Sequence, residues 1–167
     1  MDPKFSSETL ADWPLPDEFL LELGRIAAMW ASLESFLNLC IGKLAGFDVS
    51  RDPTSMILIT HSSFPQRVHM LETLCEQLSP HVPCLKEYKM VVGILGTVQK
   101  LRNKYMHNGI SYDETQKVFH LTIASARGKL KTDLVLVNAL EIRLAALEVK
   151  KAMNALYELV LKNAPRA

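Results

Sequence analysis

From Phe19 to Leu44 an apolar residue returns every three or four positions: Phe19, Leu20, Leu23, Ile26, Ala27, Trp30, Leu33, Leu37, Cys40, Ile41 and Leu44. That is the period of one face of an α-helix, sustained for about seven turns. Helices in water owe most of their stability to the packing of such a face, so this stripe has to be buried against other elements. Asp17, after Pro16, is placed to cap the start. Gly46 is placed to end it.

The rest of the chain supplies the partners. A short helix is expected from Pro53 through Met56–Ile59. Ser63 ahead of Pro65 signals a second long helix with the stripe Val68, Leu71, Leu74, Cys75 and Leu78, stopped by Ser79-Pro80. Pro83 opens a third, with the stripe Tyr88, Val91, Leu95, Val98, Leu101 and Tyr105, and Asn108-Gly109 is expected to close it. Gly93 and Gly96 lie inside and each costs about 1 kcal/mol against Ala. Close approach of a neighbouring helix is the expected benefit. The period then changes. Phe119, Leu121 and Ile123 alternate with Val118, His120 and Thr122, Arg127-Gly128 marks a turn, and Leu130 with Leu134–Val137 gives a return strand. Asn138 and Glu141 form a capping-box-like pair. They start a last helix on Ile142, Ala145, Val149, Met153, Leu156 and Val160, which ends near Asn163-Ala164-Pro165. The expected fold is therefore mainly all-α: a four-to-five-helix bundle with a β-hairpin inserted between the third and last long helices. Residues 1–16 hold three prolines without periodicity and read as an N-terminal tail or packing arm. Residues 17–165 read as one helical domain.

Charge narrows the function classes. The net charge of +1 provides no global basic field for nucleic acid. Locally, Lys100, Arg102, Lys104, Lys117, Arg127, Lys129 and Lys131 face only Asp113 and Glu114, leaving +5 on this stretch and −4 on the remainder. Phosphate attraction would centre there; the alternative is a set of solvated loop charges. Cys40, Cys75 and Cys84 are odd in number and form no CxxC pair, which suits a reducing compartment. Cys75, His81 and Cys84 match no zinc spacing, so no metal and no cofactor is expected. The N-terminal Met1-Asp2-Pro3-Lys4 lacks the apolar core of a signal peptide, and Met56–Thr60 is too short to span a bilayer. A cytoplasmic protein with no membrane partner is the expectation.

One segment carries candidate chemistry: Arg102-Asn103-Lys104-Tyr105-Met106-His107, late in the third long helix. At about 100° per residue, Asn103 and His107 are i, i+4 neighbours, while His107 lies about 140° round from Arg102. The spacing predicts that Arg102 and His107 border one groove without pairing. The helix C-terminus favours a cationic imidazole, and an imidazole there suits general acid or base work. The planar guanidinium fork matches a phosphate. Together they suit cleavage of RNA by its own 2′-OH, with His107 moving the proton and Arg102 stabilising charge on phosphorus. The structural alternative gives Arg102 a Glu from another helix, Asn103 a local cap, and His107 a helix-end complement worth about 0.3–1 kcal/mol.

This arrangement resembles the HEPN superfamily (higher eukaryotes and prokaryotes nucleotide-binding domain). That family carries an Arg, a polar residue and, a few positions on, a His, late in an internal helix of an all-helical chain. Trp30-Ala31-Ser32-Leu33-Glu34 is similar to a Trp-x-x-Leu-Glu run of some bacterial members. The likeness covers roughly residues 17–163. It implies a metal-independent endoribonuclease of a toxin–antitoxin, phage-defence or RNA-processing system, acting on single-stranded or looped RNA. It also implies a homodimer with two motifs in one cleft, 2′,3′-cyclic phosphate products, and an antitoxin protein as partner. By carry-over Arg102 binds the scissile phosphate, His107 is base or acid, and Asn103 orients Arg102 or the phosphate. Other members are non-catalytic modules that bind a nucleotide or a partner protein. One toxin subgroup has a Tyr two residues after the His; here that position is Gly109.

The neighbours follow. Lys100 and Lys104 from the basic stretch, and Ser111 and Tyr112 in an expected loop, are candidate substrate contacts. Trp30 and Tyr105 lie on apolar stripes and are expected in the core. Glu34 shares a face with Trp30 and is expected either to reach Arg102 or to remain solvated. His120 is expected at the surface, and the seven methionines as core filler.

Overall fold

The long apolar stripe forms helix α1, Asp17–Leu44, in a computed structural model that describes residues 15–48, 53–125 and 128–162. Its buried side chains include Phe19, Ile26, Trp30, Leu33, Leu37, Cys40 and Ile41. Gly46 ends it in the left-handed region at φ 84°. There the Gly46 N–H donates to Lys43 O at 3.1 Å and the Phe47 N–H to Gly42 O at 3.0 Å, a Schellman turn. The start differs from expectation. Pro16 holds the capping position, and no side chain caps the helix. Asp17 and Glu18 instead put negative charge at the positive end of the helix dipole.

Helix α2 is Thr54–Ile59 and helix α3 is Phe64–Leu78. Ser63 precedes α3, and the Gln66 carboxamide oxygen accepts from the Ser63 N–H at 2.7 Å. Pro83 opens a 3₁₀ turn, Pro83–Glu87, before helix α4, Tyr88–Met106. The expected stop at Gly109 is corrected. Asn108 Nδ2 donates to Lys104 O at 2.8 Å and Asn103 O at 3.4 Å, which partners two carbonyls of the last turn, and Gly109 opens a strand instead. The reading of Gly93 and Gly96 is also corrected: a Cβ at either would meet nothing within 4 Å.

Three antiparallel strands follow in the order β1 (Gly109–Asp113), β2 (Val118–Ser125), β3 (Lys131–Val137). The expected hairpin is β2–β3, and β1 is an additional strand. Leu121 pairs with Ile110 and Val135, and Phe119 with Tyr112 and Val137, on the face turned to the core. His120 is half-buried between Ser111 and Leu136 rather than exposed. Gly128 makes the β2–β3 turn at φ 75°; Arg127 lies outside the described residues. Helix α5, Ala139–Tyr157, starts where Asn138 Oδ1 accepts from the Glu141 N–H at 2.9 Å, and a π-helical turn, Glu158–Lys162, extends it. The expected helix end at Asn163-Ala164-Pro165 and positions 1–14 of the expected arm lie outside the described residues.

The stripes meet in two clusters. The larger joins α1, α3, α4 and α5 around the fully buried Leu33, Leu37, Leu71, Leu95 and Leu156. Burying each such side chain is worth about 1.5–3 kcal/mol. The smaller joins Phe19 and Ile26 of α1, Tyr105 of α4, Leu121 and Val137 of the sheet, and Ile142 of α5. Among the described residues this is a mainly helical bundle with a small sheet between α4 and α5. Met29 and Met153 pack on the core, but Met56, Met70, Met90 and Met106 are exposed, so core filling does not describe most methionines. Among the described residues no helix is long and apolar enough to cross a membrane.

Candidate active site

Arg102 lies just before the last turn of α4, Asn103 begins that turn, and His107 is the residue that ends the helix. Val98 before them is buried in the larger cluster and Tyr105 after them in the smaller, so the turn is fixed across the seam of the bundle. Arg102 and Asn103 are half-buried and His107 is exposed.

The expectation that Arg102 and His107 do not pair is corrected. His107 leaves helical geometry at φ −119°, ψ 0°, which frees it from the position a continuous helix would impose. Its Nε2 lies 2.5 Å from Arg102 Nη1. The same Nη1 donates to Asn103 Oδ1 at 3.1 Å. Arginine carries donors only. The contact is therefore a hydrogen bond when Nε2 offers its lone pair, as in neutral imidazole with the proton on Nδ1. Among the described residues Arg102 Nη2 and Nε take part in no hydrogen bond, so one edge of the guanidinium fork has no hydrogen-bond partner.

The guanidinium carbon sits 5.5 Å from the centroid of the Trp30 ring, a cation–π distance. Trp30 itself is 6% exposed and its ring lies 4.4 Å from that of Phe64. Glu34 does not reach Arg102. Its Oε1 accepts from Arg67 Nη2 at 2.6 Å, and Arg67 Nη1 donates to Asn38 Oδ1 at 3.1 Å. The Trp30–Phe64 contact puts α1 and α3 in step, and one turn further along each helix Glu34 faces Arg67. Arg67 is buried, and a buried guanidinium requires such a partner.

The structure brings Arg102, Asn103 and His107 together and leaves the remaining candidates at the margin. Lys100 is exposed, and Lys104 lies with its Nζ 5.0 Å from the Tyr105 ring centroid. Ser111 and Tyr112 belong to β1 rather than to a loop. Tyr112 packs its ring 4.9 Å from Phe119. Among the described residues neither hydrogen-bonds to the Arg102 cluster. One contributor escaped the sequence reading: Trp30 under Arg102 leaves no local signal, because the two are far apart in sequence.

Other parts of the molecule offer less chemistry. A mostly apolar groove of 510 Å³ between α1 and α3 is lined by Ile41, Gln66, His69, Met70, Thr73 and Leu74. Burial pushes the Cys40 thiol up to about 12 and the Cys75 thiol up to about 11, which removes both as nucleophiles near neutral pH. Among the described residues no group of three His, Cys, Asp or Glu side chains is placed to hold a metal ion.

No protein-family model matches the chain, and no curated protein or solved structure matches it either.

Proposed function

We propose that this chain is a metal-independent endoribonuclease of the HEPN type, cleaving single-stranded or looped RNA in the cleft of a homodimer. The observation that carries the reading is the 2.5 Å approach of Arg102 Nη1 to His107 Nε2, with Asn103 on the same nitrogen, at an exposed helix end. The resemblance of the motif, and its place before a sheet and a long last helix, support it further.

A phosphodiester oxygen pair docks on the unpartnered Nε–Nη2 edge of Arg102, where charge-assisted bonds exceed neutral ones. His107 Nε2 then exchanges the Arg102 N–H for the 2′-OH of the adjacent ribose and takes its proton. The 2′-oxygen attacks phosphorus, Arg102 stabilises the charge that develops, and the 5′-oxygen leaves with a proton. In the dimer the second copy of His107 supplies that proton. The products are a 2′,3′-cyclic phosphate and a 5′-hydroxyl. Arg102 provides the positive charge, so the scheme is complete without a metal. Three free thiols suit the reducing cytoplasm. An antitoxin protein is the partner this reading implies.

The test is RNA cleavage in the presence of EDTA by wild type, Arg102→Ala and His107→Ala. The reading expects cleavage by the wild type and a loss of about 10²–10⁴-fold in His107→Ala. Equal activity in all three ends it. The second reading, a non-catalytic module that binds a nucleotide or a partner protein, draws on the apolar groove between α1 and α3. It expects no cleavage and saturable binding.

A further inference from the structure

We infer that Trp30 is the positioning residue for Arg102, holding the guanidinium over its ring so that the Nε–Nη2 edge stays free for a phosphate. The inference rests on the reading of Arg102 as the phosphate-binding group. Three contacts hold this guanidinium: Asn103 Oδ1 at 3.1 Å, His107 Nε2 at 2.5 Å, and the Trp30 ring at 5.5 Å. The first comes from the adjacent residue and the second is given up when His107 accepts a proton. The indole is the restraint that comes from another helix and survives the chemistry.

The indole is also the right kind of restraint. A carboxylate partner would occupy the fork and cancel its charge. A ring face attracts the cation through its quadrupole without accepting a hydrogen bond in the plane of the fork or cancelling its charge. Trp30 can do this because it is 6% exposed and braced by Phe64 at 4.4 Å, so the ring has one place to be. Glu34, one turn past Trp30 on α1, is held by Arg67 at 2.6 Å. Arg67 thereby keeps a competing carboxylate off Arg102.

The experiment compares Trp30→Leu, which removes the π face, with Trp30→Phe, which keeps it, on single-stranded RNA after each variant is shown to be folded. Trp30→Leu is expected to lose about 3- to 30-fold in kcat/KM, the span of a cation–π contact converted to rate. Trp30→Phe is expected to recover to within about threefold of wild type. Equal loss in the two variants, or no loss in folded Trp30→Leu, overturns the inference. The second arm needs neither cleavage nor a core substitution. In a Trp13→Phe background the emission of Trp30 is expected to change on Arg102→Leu and to stay unchanged on Lys100→Leu. Emission that ignores Arg102 overturns the inference. If the wild type cleaves no RNA, the nuclease reading fails, and the emission arm alone decides whether Trp30 holds Arg102.

Discussion

Gly93 sits on the exposed side of α4, one turn before Thr97, whose hydroxyl donates to the Gly93 carbonyl at 3.0 Å. A Cβ built there meets nothing within 4 Å. Gly93→Ala therefore removes no contact and creates no clash. What remains is the backbone: Ala is favoured over Gly inside a helix by about 1 kcal/mol. For a chain of this size that gain raises Tm by about 2–4 °C. Half-buried Gly96 is equally open, so the double substitution is expected to gain about twice as much. The assay is thermal unfolding at several protein concentrations, with urea denaturation as a check on the slope. A fall in Tm would refute the reasoning. A fall that deepens with concentration would show that a second copy packs against this face of α4 and that the glycines admit it.

Glu34→Ala leaves Arg67 charged and buried beside Asn38 alone; because Glu34 keeps part of its side chain in water, the expected cost is about 1–3 kcal/mol by urea denaturation. Asn138→Ala removes the side-chain acceptor of the Glu141 N–H at the start of α5 and is expected to cost about 1 kcal/mol, with Asn138→Gly costing less. Burial raises the Cys40 and Cys75 thiols, so the folded chain keeps their protons to higher pH than the unfolded chain does. Their contribution is complete below the ordinary thiol value of 9.0 and is lost as pH climbs from there towards about 11 and 12. Urea midpoints measured from pH 8 to 10.5 are expected to fall more steeply in wild type than in Cys40→Ala/Cys75→Ala.

The bundle was legible because helical burial has a period. The stripes of α1, α3, α4 and α5 announce both the helices and the faces that meet. Elements whose stability comes from elsewhere were not legible. Strand β1, Gly-Ile-Ser-Tyr-Asp, has too few apolar positions to declare itself and exists because β2 offers an edge to pair with. The end of α4 shifted because Asn108 supplies a cap that the sequence suggested for Gly109. At the site, residue types and neighbourhood were readable, while geometry was not. Rotation per residue separates Arg102 from His107, and only the departure of His107 from the helix closes the gap. The exchange of Glu34 for Trp30 as the support of Arg102 depends on how α1 and α3 lie in step, which no local spacing encodes.

The central claim is that Arg102 and His107 work as one phosphate-handling pair. Its most direct test is a double-mutant cycle: single-turnover cleavage of one single-stranded RNA, with EDTA present, by wild type, Arg102→Ala, His107→Ala and the double variant. Groups that act as a unit are non-additive, so the double variant is expected to be no slower than the slower single variant. Losses that multiply would show two independent contributions, and wild-type rates in both single variants would contradict the account altogether.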